Sequence, residues 1–430
     1  MSWFGQVPSH WSVKRVRYIG TLKGGAGFPH EQQGRKEGEL PFFKVKDLGD
    51  VAMPLVSTDN YVSRETAADL RASVFPERTI VFAKVGAALL LNRFRILGTP
   101  GCIDNNMMGL TVDERVMTVP FALSVLALID FKIVANPGAV PSVNEDQVSN
   151  FSLPVPPLNE QLAISDFLDR ETTRLDALVT AKQRVLDLLA EKRKAIIATA
   201  VTRGLDPKVN LRDPGVPWLG EIPEHWSLVP LRYLLNLGPK NGISPQQSGA
   251  DGVLSFAISA VRDGRVTIEG NEKLVGLDRS VARNYYLKSG DILLVRGNGN
   301  LSLVGTCGLL ETAPDECTYP DILMLMRVSE RVLAELLVAA INSVYVRRQI
   351  ESLTQTTNGT YKLSGEDVRT LQIALPPEQE QRAIVEHIAR ETSKLDAVRA
   401  ATERTIALLK ERRFALIAAA VTGQLNVGAA

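Results

Sequence analysis

The sequence predicts a mixed α/β protein made of two similar units, each a globular domain followed by one long helix. Two observations lead to this prediction. One stretch occurs twice, pairing residues 156–206 with residues 376–426 at a constant shift of 220 positions and without a gap. The residues before each copy have the short apolar runs of strands and one helix-like segment. Because an internal repeat of this length sets the organisation of a chain, it is considered first.

Each copy of the repeated stretch predicts a helix. The double prolines Pro156-Pro157 and Pro376-Pro377 stand just before it, since proline is excluded from helix interiors. Asn159 is the expected N-cap, and Glu160 follows in the first turn, where a carboxylate favours the helix dipole. About 40 residues at about 1.5 Å each give a helix about 60 Å long.

Apolar residues recur at intervals of seven along both predicted helices. They form two rows that alternate by three and four positions, which is the pattern of a coiled-coil seam. The rows are Leu168, Leu175, Leu189 and Ile196 with Ile164, Leu178 and Val185 in the first copy, and Ile388, Leu395, Leu409 and Leu416 with Ile384 and Val398 in the second.

Two features of this seam leave alternatives open. The polar residues Glu171 and Lys182 either fix the register of the pairing or reach out to solvent from a shallow two-helix contact. A second apolar ridge, from Phe167 to Ile197 through Val179 and Leu186, widens the apolar stripe. That surplus indicates packing against the chain's own domains or against helices of a partner.

A shorter motif opens each unit. Residues 5–12 read GQVPSHWS, and residues 220–227 read GEIPEHWS. The histidines in them, His10 and His225, are at equivalent positions and are expected to be structural. We therefore predict four parts, namely a first globular domain at 1–155, a first long helix at 156–206, a linker with a second globular domain at 207–375, and a second long helix at 376–426.

Short strands are predicted within both globular domains, because β-branched and aromatic residues are enriched between glycine-bearing turns. One helix is predicted in each domain, at Pro120–Phe131 and at Glu330–Ile350. The predicted strands are Leu40–Lys46, Thr79–Val85, Met107–Val112 and Phe151–Val155 in the first domain, and Val253–Ala260, Asp291–Arg296, Leu303–Leu310, Ile322–Val328 and Leu371–Leu375 in the second.

Composition sets broad bounds. The chain has 430 residues, 45% of them hydrophobic and 23% charged, which is typical of a globular protein with more than one core. It has no apolar run of membrane-spanning length and no signal pattern, so a cytoplasmic protein is expected. Three cysteines are too few for a disulfide framework or a zinc site. A net charge of +1 counts slightly against a simple nucleic-acid binder.

The sequence shows no pattern typical of catalysis. It has no phosphate-binding GxxxxGK[ST] loop, no histidines at metal-ligand spacing, and no nucleophile in an activating context. The glycine-rich stretches at 23–27 and 297–300 could cradle a phosphate, although an ordinary turn explains each of them as well. We therefore expect a protein that is not an enzyme and binds no cofactor of its own.

Candidate DNA contacts were chosen among donors on short loops and strand ends, because reading a major groove needs such side chains. The alternative for each is a solvated surface charge. In the first domain the candidates are Lys44, Lys46, Lys84, Arg93 and Arg95. In the second domain they are Lys240, Arg262, Arg296, Asn298, Asn300, Asn358, Thr360, Tyr361 and Lys362.

Taken together, these motifs resemble the specificity subunit of type I restriction-modification enzymes. The resemblance rests on the paired segments PPLNEQ at 156–161 and PPEQEQ at 376–381. It rests further on the helix ends at Val201-Thr202 and Val421-Thr422-Gly423, and on the segment WLGEIPEHW at 218–226. The match covers essentially the whole chain, although the first opening segment is less faithful than the second.

The resemblance implies two α/β target recognition domains, each reading one half of a split site in double-stranded DNA, held apart by the two helices as an antiparallel coiled coil. It implies two modification subunits that carry S-adenosylmethionine, and restriction subunits that use ATP and magnesium. Because the two domains differ in sequence, we expect two unlike half-sites separated by a fixed gap. No base-contacting residue is transferred, since the reading loops vary between members.

Two other functions remain open on the sequence alone. One is a structural adaptor whose α/β domains bind proteins rather than DNA. The other is an enzyme with an unrecognised active site, such as a nuclease or methyltransferase joined to its own specificity domains. DNA binding separates the first alternative from the specificity subunit, and a catalytic assay on the isolated chain separates the second.

Overall fold

A computed structural model describes residues 4–49, 53–136, 138–216, 218–244, 252–357 and 359–427. The chain divides into two compact units. Unit 1 comprises Met1–Gln183 with Arg404–Ala430, and unit 2 comprises Arg184–Glu403. The two boundaries, at Gln183 and Glu403, are 220 positions apart (403 − 183) and are therefore equivalent in the repeat. The four-part division drawn from the sequence stays a prediction.

Unit 1 is a mixed α/β head with two small sheets and a peripheral strand pair. Its strands are β1 Ser12–Arg15, β2 Gly20–Gly24, β3 Leu40–Phe43, β4 Tyr61–Val62, β5 Ile80–Ala83, β6 Phe94–Ile96, β7 Cys102–Ile103, β8 Met107–Val112 and β9 Ser152–Val155. Its helices are α1 Arg64–Asp69, α2 Ala87–Leu90, α3 Val119–Leu126, α4 Phe131–Val134, α5 Glu145–Ser149 and the start of α6 Leu158–Arg203. The sheet orders are β2-β8-β5-β6 and β4-β3-β7, and β1 pairs with β9.

Unit 2 has the same plan with a larger central sheet. Its strands are β10 Leu211–Arg212, β11 Ile222–Pro223, β12 Ser227–Pro230, β13 Leu235–Asn241, β14 Gly252–Phe256, β15 Val261–Arg262, β16 Gly264–Val266, β17 Glu272–Gly276, β18 Ile292–Val295, β19 Gly297–Asn298, β20 Cys307–Leu309, β21 Leu323–Val328, β22 Gln355–Thr357, β23 Thr360–Lys362 and β24 Gln372–Leu375. Its helices are α7 Arg279–Ala282, α8 Ala334–Ile341, α9 Val344–Leu353, α10 Gly365–Thr370 and α11 Glu378–Val421, the last of which ends in unit 1. The central sheet has the order β13-β21-β18-β20-β16-β15.

The predicted strands are confirmed where they are most apolar. The strands β5, β8, β18 and β21 lie in the middle of their sheets, and the side chains of β5 and β18 are all buried. The strand β8 spans Met107–Val112, as predicted. In both units the last strand before the double proline, β9 or β24, pairs antiparallel with the strand after the opening motif, β1 or β12. This pairing joins the start of each head to its end.

Several predicted elements are shorter than expected or interrupted, and the helix predicted at Pro120–Phe131 ends at Leu126. The first strand ends at Phe43 and a 3-10 helix follows at Val45–Leu48, because the backbone N–H of Lys44 donates to the Asp47 carboxylate and turns the chain. A 3-10 helix at Ile258–Ala260 likewise ends the strand predicted at Val253–Ala260. The strand predicted at Leu303–Leu310 is reduced to β20, and the helix predicted at Glu330–Ile350 is two helices, α8 and α9.

The long helices are confirmed. The helix α6 has 46 residues and α11 has 44, which correspond to about 69 Å and about 66 Å at about 1.5 Å per residue. The expected N-cap is wrong by two positions, since α6 begins at Leu158 and Asn159 lies within its first turn.

Of the two apolar rows predicted for the α6 seam, the structure confirms one and differs from the other. Leu168 and Leu175 are buried, but Leu178 and Val185 are exposed. Their neighbours Val179 and Leu186 are partly buried instead, so the ridge that appeared to be surplus is the second row of the seam. Each position has two adjacent apolar residues, and the sequence alone could not decide which of them faces inward.

Within each unit, a segment of α6 lies antiparallel to a segment of α11. In unit 1 the Arg413 guanidinium contacts the Asp176 carboxylate, with 3.0 Å between Nε and Oδ1. In unit 2 the Arg193 guanidinium contacts the Asp396 carboxylate, with 2.7 Å between Nη1 and Oδ1. Because 176 + 220 = 396 and 413 − 220 = 193, the two ion pairs are equivalent in the repeat. Each unit therefore contains the same two-helix support, built from opposite halves of the two helices.

Candidate nucleic-acid interface

In the central sheet of each head, one buried strand is followed by a basic residue, and the two basic residues are at equivalent positions. Lys84 follows β5 in unit 1, and Arg296 follows β18 in unit 2. The carbonyl of Lys84 accepts a hydrogen bond from the Val143 N–H at 2.9 Å, and the carbonyl of Arg296 accepts one from the Leu363 N–H at 2.9 Å. The backbone therefore holds both side chains at the same place in the scaffold. We call the side of each sheet at which these strands end its basic end.

Three predicted residues lie near the basic end of unit 1. Lys84 leaves the central strand there, and Arg93 precedes β6 at the same edge, where Phe94 pairs with Phe82. Lys44 follows β3, whose Phe43 carbonyl accepts the Asp104 N–H at 2.9 Å. The backbone therefore places three basic residues, the type that a phosphate backbone attracts, near this end of the sheet.

The charge of Lys44 acts on a buried carboxylate at this edge. Burial raises the pKa of Asp104, and the hydrogen bonds from the Asn106 and Val45 backbone together with the nearby Lys44 ammonium oppose that shift. The Lys44 Nζ also donates to the Gln33 side chain at 2.8 Å. Lys44 is therefore held in place beside Asp104 and is only partly available to a ligand.

Two predictions in unit 1 change with the structure. Arg95 is buried in β6, where its guanidinium donates to the carbonyl oxygens of Phe94 at 2.8 Å and Gly49 at 2.9 Å. Its donors serve the fold, so we remove Arg95 from the candidate contacts. Lys46 does not alternate with Lys44 along a strand; it is exposed on the 3-10 helix and pairs with Asp59 at 3.1 Å.

Lys23 is a candidate contact that was not among the residues predicted from the sequence. Lys23 is exposed on β2 opposite Gly109, and Lys240 lies on β13 opposite Leu325. Since Met108 and Met324 are equivalent in the two sheets, these two lysines occupy equivalent positions. The equivalence itself was the available signal, because Lys240 was predicted and its counterpart was not.

The basic end of unit 2 carries a ribbon of three short strands, β19, β23 and β22. Asn298 pairs with Tyr361 and Tyr361 with Thr356, whereas Lys362 pairs with Gly297 and Gln355. Its strands β22 and β23 form a two-stranded antiparallel ribbon, the kind of element that fits the major groove of B-DNA. We call it the reading ribbon.

The register of the ribbon separates its predicted residues by face. Residues directly opposite each other point to the same side of a sheet and alternate along each strand. Tyr361 is partly buried and packs against the main core of unit 2, which places its row on the inner face. Lys362 and Thr360 therefore share the outer face with Gln355, and both Lys362 and Gln355 are exposed. Tyr361 supports the ribbon, and Lys362 and Gln355 are its best placed donors.

Two asparagine side chains stabilise the loop that follows β19. The Asn298 side chain accepts from the Asn300 N–H at 2.9 Å, and the Asn300 side chain accepts from the Ser302 N–H at 3.0 Å. Arg347 from α9 donates to the carbonyls of Ser302 and Val304, and burial lowers the pKa of its guanidinium. These bonds fix the loop that follows Arg296.

The structure separates two further candidates from the ribbon. The Lys240 ammonium lies over the Tyr285 ring at 4.5 Å and donates to the Asn284 carbonyl, so it is engaged within the head. Arg262 is exposed in the β15–β16 hairpin, at the outer edge of the central sheet. Asp263 in that hairpin helps to raise the pKa of Arg399 on α11, after a larger effect from Glu403. Asn358 lies outside the described residues.

The first glycine-rich stretch has a packing role. A Cβ on Gly25 would lie 2.1 Å from the Asp104 carbonyl oxygen, and the Gly25 N–H donates to the Met107 carbonyl at 3.0 Å. Gly242 meets the same restriction in unit 2, at 2.3 Å from the carbonyl oxygens of Tyr319 and Pro320. The glycines let two backbones approach closely, which favours the ordinary structural interpretation over a phosphate cradle.

No group of three or more histidine, cysteine, aspartate or glutamate side chains among the described residues could hold a metal ion. Within the same part of the chain, every helix is too short or too polar to cross a membrane.

Comparison with known proteins gives one consistent family. Residues 8–187 match the family described as type I restriction modification DNA specificity domain. The type I restriction enzyme EcoKI specificity subunit of Escherichia coli K12 is 24% identical, over 98% of this chain and 90% of that subunit. The MjaVIII specificity subunit of Methanocaldococcus jannaschii is 22% identical, over 98% of this chain and 94% of that subunit.

Solved structures show the same fold. A chain from a study of complex assembly and conformational transition of the type I R-M system aligns with a TM-score of 0.65 and 18% identity, covering 98% of this chain and 100% of that one. The chain is therefore similar to type I restriction enzyme specificity subunits over nearly its whole length.

Proposed function

We propose that this chain is the DNA-specificity subunit of a type I restriction-modification complex and binds an asymmetric, two-part site in double-stranded DNA. Unit 1 reads one half-site and unit 2 the other. One observation carries the proposal: Lys84 and Arg296 hold equivalent positions at the basic ends, while the elements around them differ. The reading ribbon stands beside Arg296, whereas the helix α2 follows Lys84. Equivalent supports with unlike reading surfaces suit two unlike half-sites.

The chain acts by binding rather than by catalysis in this proposal. S-adenosylmethionine belongs to two modification subunits, and ATP and magnesium belong to restriction subunits, as the family resemblance implies.

DNA binding is tested by titrating labelled mixed-sequence duplex with the purified chain at several salt concentrations. We expect the logarithm of the binding constant to fall linearly with the logarithm of salt concentration, because bound lysines and arginines release counterions from the duplex. Replacing Lys84 and Arg296 together by alanine should make the slope shallower by about two, because two cations that displace counterions from the duplex are lost. Replacing the exposed Arg64, which pairs with Glu39, is the control. A folded chain that binds no duplex would favour the adaptor alternative.

The long helices carry a repeated apolar surface that suits two copies of one partner. In unit 1, Leu178 on α6 and Leu408 on α11 are 43% and 64% exposed. In unit 2, the repeat-equivalent Val398 and Leu188 are 48% and 54% exposed. Exposed apolar side chains are common singly, but their recurrence at equivalent positions of both supports indicates a shared role. We assign these two patches to the two modification subunits.

The stoichiometry of the complex tests this assignment. Replacing Leu178 and Leu408 by glutamate should leave one modification subunit bound instead of two, because only the patch of unit 1 is changed. Native mass spectrometry of the reconstituted complex measures the ratio. The control is Ile133→Glu, on the head of unit 1, where the native side chain is 83% exposed. Two modification subunits bound to the doubly substituted chain would exclude these patches as docking sites.

A further inference from the structure

The opening motif, the start of one long helix and the end of the other meet at a single tryptophan in each unit. In unit 1 the Trp11 Nε1–H donates to the Glu160 carboxylate at 2.9 Å, and His10 Nε2 lies 2.9 Å from its other oxygen. In unit 2 the Trp226 Nε1–H donates to the Glu380 carboxylate at 2.6 Å, and His225 Nε2 lies 3.0 Å from its other oxygen.

The far end of the other helix closes the same contact. Gly423, after α11, has φ +72°, and a Cβ there would lie 2.3 Å from Pro8 and 3.2 Å from the Trp11 ring. Gly204, after α6, also has φ +72°, and a Cβ there would lie 3.2 Å from the Trp226 ring. Glycine is favoured for both its left-handed backbone and the close approach. We call the groups Trp11–Glu160–Gly423 and Trp226–Glu380–Gly204 the two joints.

The residue after each glutamate ties the same helix start to the head. The Gln161 side chain accepts the Thr118 N–H at 2.7 Å and donates to the Val116 carbonyl at 3.0 Å. The Gln381 side chain accepts the Leu333 N–H at 3.0 Å and donates to the Arg331 carbonyl at 2.9 Å. Both amides are buried, so their hydrogen bonds are directional and costly to break.

Each long helix is therefore fixed to its head at two adjacent residues that point to different parts of it. The glutamate holds the opening motif, and the glutamine holds the start of the first core helix, α3 or α8. Two separate attachments remove the rotation that one attachment would allow. The tryptophan also contacts the second helix of the support, α11 in unit 1 and α6 in unit 2, because its ring packs on the glycine that follows that helix.

We propose that Glu160 and Glu380 are positioning residues that set the angle of each head on its two-helix support and so restrict the gap between the half-sites. The effect on the gap rests on the proposed function, whereas the role of the two glutamates in setting the head angle does not. The joints are alike in both units, although the heads differ in their loops and ribbon. A shared joint beneath unlike heads is expected where orientation must be kept while base preference changes.

The first test measures the head angle without DNA. Spin labels are placed at Ile133 on the head and Thr173 on α6, both exposed and both in unit 1. The three native cysteines are buried and should not take the label. We expect Glu160→Ala to broaden the distribution of distances between the labels. Glu160→Gln, which keeps an oxygen for the Trp11 N–H, should largely restore it, and the exposed Asp166→Ala should match the wild type.

The second test measures gap preference by selecting duplexes in which the gap varies by single base pairs. Glu160→Ala should reduce the preference for the best gap over its neighbours, because a head held at one attachment instead of two can rotate to fit other gaps. The bases selected within each half-site should not change. A merely structural role would weaken binding to all gaps equally and leave this ratio unchanged.

The outcomes separate the joint from the proposed function. An unchanged distance distribution, or an unchanged gap ratio in a folded Glu160→Ala chain, would contradict the proposal that Glu160 sets the head angle. If the wild type selects no two-part site while the distances broaden, the proposed function fails but the positioning role stands. Should Glu160→Ala not fold, Trp11→Phe replaces it, because phenylalanine keeps an aromatic ring and removes the N–H donor.

Discussion

Inserting one heptad after Gln183 and another after Glu403 is expected to lengthen the unread gap of the DNA site by about three base pairs. Seven residues add about 10 Å to a helix, and one base pair occupies about 3.4 Å of duplex. Both insertion points are the repeat-equivalent boundaries at which α6 and α11 pass from one unit to the other. A whole heptad keeps the buried stripe of each helix in phase.

Gap selection with the lengthened chain measures this effect. The bases preferred within the two half-sites should stay the same, because neither head is altered. A heptad inserted in α6 alone is the control, since unequal helices cannot keep the Asp176–Arg413 and Arg193–Asp396 pairs together. An unchanged gap with full binding would mean that the helices do not set the separation of the half-sites.

Replacing Arg296 by alanine is expected to abolish discrimination at one base pair of one half-site while leaving the other half-site intact. Arg296 extends from the buried strand β18 beside the reading ribbon, and the bond from Leu363 fixes its backbone. An arginine that contacts a guanine through two hydrogen bonds contributes about 1–3 kcal/mol of discrimination, or about 5- to 150-fold. We therefore expect a loss in that range at one position.

Two further variants separate charge from base reading at this position. Arg296→Lys should keep most of the salt-dependent affinity but lose the discrimination, because an ammonium cannot make the planar pair of hydrogen bonds. Arg262→Ala removes the same charge from the hairpin at the outer edge of the sheet and should leave the selected site unchanged. If Arg296→Ala selects the same bases with the same preference as the wild type, Arg296 does not read DNA.

The parts of the fold set by a repeating pattern could be predicted from the sequence. The long helices follow from double prolines and from apolar residues at intervals of seven, and the central strands follow from runs such as Met107–Val112. The exact inward face of α6 could not be predicted, since Leu178 and Val179 are equally apolar. Only the antiparallel partner helix decides between them.

The candidate site could be predicted in part for a similar reason. Lys84 and Arg296 end the most apolar strands, so their place at a sheet edge follows from the sequence. The burial of Arg95 could not be foreseen, because it depends on the carbonyl of Gly49, which is distant in sequence. The inner orientation of Tyr361 depends on strand pairing with Asn298, and the role of Glu160 depends on Trp11, 149 positions earlier.

The most direct test of the account is selection of random duplex DNA by the purified chain together with its modification subunits. The account predicts an enriched motif of two unlike base blocks separated by a constant unread gap. Repeating the selection with Lys84→Ala and with Arg296→Ala should weaken a different block in each case. A single continuous motif, or no enrichment by a folded complex, would contradict it.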